Sequence, residues 1–161
     1  MASEITVICM DTSSWMQNNR SPMFLAQAEA IELYCKEKID FHPENRVGIV
    51  AMGDEVYKLV EPTRDLQKIM SSIHGAQVDN DSMSILDALE MADEFLGKNI
   101  IYKRIVVFAR GPVYWFKHDL REIGMKLKEK GVAVDVVNFG DKNGPKPGLS
   151  QEKLRRKILR P

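Results

Sequence analysis

Ile5-Thr6-Val7-Ile8-Cys9-Met10-Asp11-Thr12-Ser13-Ser14-Trp15 is the stretch that decides the fold. Ile5 to Met10 is a short, almost continuous apolar run, which reads as a buried strand, and it delivers Asp11, Thr12, Ser13, Ser14 and Trp15 into a loop. A later run, Arg104 to Phe108, reads as a second strand and delivers Ala109-Arg110-Gly111-Pro112 into another loop.

Working outward, Ser21-Pro22 forms an N-cap and first-turn pair, and Phe24, Ala28, Ile31 and Cys35 then recur on one helix face. Val47 to Met52 reads as another buried strand. Gly53-Asp54 turns the chain into Glu55 to Val60, which alternates like a half-exposed antiparallel edge and is expected to end at Pro62. Leu66, Ile69, Met70 and Ile73 mark a short amphipathic helix, and Ile85, Leu89, Ala92 and Leu96 a longer one. Beyond the Arg104 strand, Leu120, Ile123 and Leu127 mark another helix, and Val132 to Phe139 the last clear strand. Alternating strands and helices predict an α/β fold with a mostly parallel central sheet, one antiparallel edge strand and helices on both faces. In such a sheet, ligands or partners are met at the carboxyl ends of the strands, where both loops lie.

Composition sets limits on function. The chain has 161 residues, 44% hydrophobic and 29% charged, which suits one compact domain. Met1-Ala2-Ser3-Glu4 resembles no leader, and no run approaches the ~20 apolar residues of a membrane span, so an intracellular protein without a membrane partner is expected. Cys9 and Cys35 sit in apolar runs and read as reduced core thiols. The zero formal charge is divided, because seven of the 23 basic residues but only one of the 23 acidic residues lie from Lys142 onward. An acidic body would repel nucleic acid, so none is expected as a partner. A linker at 141–148 and a basic helix from Leu149 to Leu159 read as a tether or a cap, giving a division into 1–141 and 142–161.

No Gly-x-Gly-x-x-Gly follows the first strand, no Gly-x-Ser-x-Gly elbow occurs, and no Gly-rich loop ends in Gly-Lys-Ser/Thr, so dinucleotide, hydrolase and nucleotide-triphosphatase chemistry is not expected. His42, His74 and His118 show no metal-ligand spacing. Asp135 is an oddity within an apolar strand; it would face an open edge or accept hydrogen bonds from a neighbouring loop. Tyr114-Trp115-Phe116 beside the second loop, and Trp15 in the first, would supply an aromatic contact surface or tuck into the core.

The order of elements, the Asp-x-Ser loop and the Gly-Pro loop resemble a von Willebrand factor A domain, a Rossmann-like fold. His42-Pro43-Glu44-Asn45-Arg46-Val47-Gly48-Ile49, then Lys103 to Phe108 with Gly111-Pro112-Val113, and Val132-Ala133-Val134-Asp135-Val136-Val137-Asn138-Phe139-Gly140 resemble more closely the A domain of the proteasome regulatory-particle non-ATPase subunit family that serves as a ubiquitin receptor. The metal-binding form of the A domain uses Asp-x-Ser-x-Ser. Here Trp15 replaces the second serine, and Met83 and Arg110 stand elsewhere around the cleft, so too few oxygen ligands remain and neither metal nor cofactor is expected. Arg110 is expected instead to approach the Asp11 carboxylate as a fixed positive charge.

The resemblance implies a noncatalytic protein of cytoplasm and nucleus that docks to proteasome lid and base subunits, stabilises their association and supports ubiquitin-dependent degradation. The alternative is a degenerate A-domain scaffold in another intracellular complex, of the transcription or DNA-repair type. The contact is expected at Asp11, Ser13, Trp15, Arg110, Tyr114 and Trp115, with charge reversal at Asp11 weakening assembly but sparing the fold. Ubiquitin binding is not expected: the nearest echo of a receptor helix, Leu89-Glu90-Met91-Ala92, carries Leu96 where a serine should fall.

Overall fold

Every apolar residue of the first strand finds a covered face. The structure, a computed structural model, describes residues 2–98, 102–111 and 117–139. β1 (Glu4–Asp11) lies at the centre of a five-stranded sheet, between β2 (Arg46–Met52) and β4 (Tyr102–Ala109). β3 (Val56–Thr63) and β5 (Val132–Asn138) complete the order β3-β2-β1-β4-β5, with β3 alone antiparallel to its neighbour.

The side-chain period of two divides the core between two layers. Ile8 and Met10 point to the face covered by α1 (Pro22–Phe41) and α2 (Leu66–His74), among Phe24, Ile31, Ile69 and Ile73. Val7 and Cys9 point to the other face, covered by α3 (Ile85–Leu96) and α4 (Lys117–Glu129), among Ala88, Ala92, Ile123 and Leu127. Burying each large aliphatic side chain contributes about 1.5–3 kcal/mol, so the two layers rather than any polar contact drive the collapse. Cys9 and Cys35 are free and buried, and desolvation pushes both thiols up to about 12.

Two expectations about strands are corrected. Pro62 does not end β3 but lies inside it. The edge position and a register irregularity opposite Gly48 make room for it, and a Cβ on Gly48 would meet the proline ring at 3.1 Å. Asp135 lies half exposed on β5, the edge strand of the described sheet, and its carboxylate takes a hydrogen bond not from a loop but from the Arg104 guanidinium of the adjacent strand. That pair extends a network, since Arg104 also reaches Glu4 at 3.2 Å and Lys38 reaches Glu4 at 2.6 Å. The expected linker and basic helix at 142–161 lie outside the described residues.

The network makes stability depend on acid. Burial by itself would raise the Glu4 carboxyl, but the hydrogen bond and charge of Lys38, with the charge of Arg104, outweigh it and hold the group below its usual 4.5. A depressed folded value means stability that is fully present above the unfolded pKa and lost as pH falls through the folded one. Resistance to urea is therefore expected to fall below about pH 4.5, and Glu4→Gln to flatten that acid limb while costing on the order of 1–2 kcal/mol at neutral pH. An unchanged acid limb in Glu4→Gln would remove Glu4 from this role. Native protein is also expected to resist a thiol reagent that labels both cysteines once urea unfolds the chain.

Candidate functional site at the carboxyl end of the sheet

Pairing of Met10 with Phe108 sends the loops after β1 and β4 out of the sheet side by side. Asp11 stands at their junction, fully buried. Its Oδ2 accepts the N–H groups of Arg110 at 2.8 Å and Gly111 at 2.9 Å, and its Oδ1 accepts the N–H of Ser13 at 2.8 Å. Three charge-assisted bonds from backbone donors compensate the removal of the carboxylate from water. The backbone of Asp11 is held equally closely: its N–H donates to Gln27 Oε1 at 2.9 Å, and its carbonyl accepts from Gln27 Nε2 at 3.0 Å.

Gln27 was missed by reading the sequence for charge and aromatic clusters. Its one signal was a polar side chain within the apolar stripe of α1, between Phe24 and Ala28. The helix start that positions it is itself tied to the loop, because Ser21 Oγ accepts from Phe24 N–H at 3.1 Å and donates to the Met16 carbonyl at 2.6 Å.

Ser14–Met16 form one 3-10 turn that buries Met16 and leaves Trp15 half exposed. The indole lies over Gly111. A Cβ at Gly111 would fall 2.9 Å from Trp15 Cδ1 and 3.0 Å from Met83 Cε, so a side chain there would push the indole or the thioether aside. On the opposite flank, the Asp79 N–H donates to the Thr12 carbonyl at 3.0 Å and the Ser14 N–H to the Asp81 carbonyl at 2.9 Å. The Asp79 carboxylate accepts from Asp54 N–H at 2.8 Å. It would lie 2.0 Å from a Cβ at Gly53, so a side chain at that position would displace the Asp79 carboxylate from the junction of the three loops.

Asp11, Ser13, Trp15 and Arg110 thus come together, whereas Tyr114 and Trp115 lie outside the described residues. The expected pairing of the Arg110 guanidinium with Asp11 is not present. The backbone amides of Arg110 and Gly111 occupy the carboxylate, and the guanidinium turns to the first loop, where Nε donates to the Trp15 carbonyl at 3.2 Å. Asp11 and Ser13 are both fully buried, so they support the surface from beneath, and charge reversal at Asp11 would disrupt the loops rather than spare them. Among the described residues, Thr12 Oγ1, Ser13 Oγ and Arg110 Nη1 are buried without a hydrogen-bond partner.

A family model described as von Willebrand factor type A domain matches residues 6–112, and the chain belongs to that family. Within it, the sequence is homologous to a proteasome subunit. It is 40% identical over 152 residues to the "26S proteasome non-ATPase regulatory subunit 4 homolog" of Oryza sativa subsp. japonica, covering 91% of this chain and 38% of the relative. Against the protein of the same name from Arabidopsis thaliana, identity is 41% over 148 residues, covering 88% of this chain and 38% of the relative. The chain therefore spans well under half the length of these relatives. The solved SpRpn10 VWA domain superposes with a TM-score of 0.77 at 24% identity, covering 99% of this chain and 84% of that one, which shows the shared fold.

The divalent cation of the metal-binding A domain does not fit the residues here. Both Asp11 oxygens are engaged by amide N–H groups, and Trp15, Met83 and Arg110 bring an indole, a thioether and a cation where a hard ion needs oxygen. Among the described residues, no group of three or more His, Cys, Asp or Glu is placed to hold a metal. No helix among them is long and apolar enough to cross a membrane. The Leu89 to Leu96 echo lies on α3 with Leu89, Ala92 and Leu96 buried, so its apolar face belongs to the core.

Asp11→Asn tests the carboxylate's structural role directly, because an amide presents one acceptor and a donor to three N–H groups. It is expected to cost about 2–3 kcal/mol in urea unfolding. A loss below about 0.5 kcal/mol would show that the loops do not depend on the charge.

Proposed function

We propose that this chain is a noncatalytic docking subunit of the proteasome regulatory particle, contacting lid and base subunits and stabilising their association in ubiquitin-dependent protein degradation. The observation that carries the reading is 40% identity over 91% of the chain to a relative named as a 26S proteasome non-ATPase regulatory subunit. The site agrees chemically: a junction of buried loops, stitched by backbone hydrogen bonds and capped by a half-exposed indole, is suited to recognition. Trp15 and Arg110, with Tyr114 and Trp115, form the proposed contact, and Asp11 and Ser13 hold it from below. The segment 142–161 is proposed as a separate tether or cap, and cytoplasm and nucleus as the places of action. Ubiquitin binding is not assigned to this chain, because the α3 stretch that echoes a receptor helix turns its apolar side chains inward.

Affinity purification of the tagged endogenous protein under gentle salt, followed by mass spectrometry, tests the proposal. Lid and base subunits are expected with the wild type. Trp15→Ala is expected to lower their recovery about tenfold with little change in thermal unfolding, since half of the indole is already in solvent. Absence of proteasome subunits from the wild-type eluate would favour a degenerate scaffold of another intracellular complex.

A further inference from the structure

Resting on that docking reading, we infer that Met83 is a positioning residue of the docking surface: its thioether methyl and the bare Cα of Gly111 together hold the Trp15 indole in the orientation that a docked protein meets. The inference comes from how closely the three residues converge. A Cβ on Gly111 would stand 2.9 Å from Trp15 Cδ1, 3.3 Å from Trp15 Cγ and 3.0 Å from Met83 Cε, so ring and methyl reach the same point above the backbone. Each of the three comes from a separate loop, and each loop is fixed by bonds of its own. Trp15 sits in the 3-10 turn whose Ser14 N–H donates to the Asp81 carbonyl at 2.9 Å, and its own carbonyl accepts from Arg110 Nε at 3.2 Å. The Gly111 N–H is held by Asp11 Oδ2 at 2.9 Å. Met83 lies between Asp81 and Ser84, whose N–H donates to the Gly53 carbonyl at 2.8 Å, and it packs, partly buried, against the core layer under α3.

Trp15 is half exposed, and a side chain so placed ordinarily samples several rotamers. Docking then has to freeze one of them, which costs affinity. Here the covered part of the ring rests on a glycine that presents no Cβ, and it shares that seat with a methyl whose backbone is tied on both sides. The ring is therefore fixed before a partner arrives. Methionine suits the place, because its unbranched, polarizable thioether fills an irregular gap and makes favourable contacts with aromatic rings. Met83 itself need touch no partner; it acts through Trp15.

The test makes two measurements on the purified full chain: near-ultraviolet circular dichroism, and co-sedimentation with regulatory particles depleted of their resident homologue. The dichroic band that Trp15→Ala removes reports the fixed ring. Met83→Ala and Gly111→Ala are each expected to lose most of that band and to weaken binding about three- to tenfold, whereas Met83→Leu, of similar volume, rescues both. Neither Met83→Ala nor Gly111→Ala is expected to weaken binding further once Trp15→Ala is present, which separates positioning of the indole from general support of the loops. Gly111→Ala remains informative if Met83→Ala fails to fold, because the nearest atoms to the added methyl belong to the side chains of Trp15 and Met83. An unchanged band in both variants, or the same loss of binding with and without the indole, would overturn the inference while leaving the docking reading intact. Wild-type binding by Trp15→Ala would overturn the contact assigned to Trp15 and the inference with it. Failure of the wild-type chain to bind the depleted particle would overturn the docking reading as well.

Discussion

The carboxylate of Asp11, buried at the end of the central strand and held by three backbone N–H groups, is the interaction on which the upper half of the molecule depends. A charge in that position has no water to solvate it, so the chain around it must supply donors. Those donors come from two loops that meet only because β1 and β4 are neighbours. The amide of Gln27 completes the arrangement from α1, holding the Asp11 backbone with the two hydrogen bonds that a further strand residue would otherwise provide. Substitution of any one of these parts changes the setting of the others.

The two ends of the sheet solve the problem of buried charge differently. Toward the amino end, Glu4, Lys38, Arg104 and Asp135 satisfy one another through side chains, each of these four having an opposite charge beside it. At the carboxyl end, backbone amides satisfy the acid, and among the described residues the nearby guanidinium donates to the Trp15 carbonyl. The first arrangement is closed. The second leaves Thr12 Oγ1, Ser13 Oγ and Arg110 Nη1 buried without hydrogen-bond partners among the described residues.

Fold and function separate clearly here. The sheet order and helix layers are shared with a solved domain at 24% identity, a level at which little beyond backbone architecture is common. Trp15 and Met83 pack against Gly111, so an indole and a thioether stand above the strand ends where a hard cation would need oxygen ligands.

The sequence by itself determined the strands, the helices and the place where they present loops, because apolar periodicity is local and the Ser21 cap and Gly53 turn carry their own signals. It also identified Asp11, Ser13, Trp15 and Arg110 as belonging to one end of the sheet. Tertiary structure alone decided how they are used. Pro62 remains within β3 because Gly48 on another strand yields space for its ring, and Asp135 is satisfied by Arg104, 31 positions away. Gln27 reaches a backbone 16 residues distant, and Arg110 gives Asp11 its amide while turning its guanidinium elsewhere. In each case, the outcome depends on which atom of a residue faces which neighbour across the sheet, a matter of three-dimensional direction that residue type and spacing do not encode.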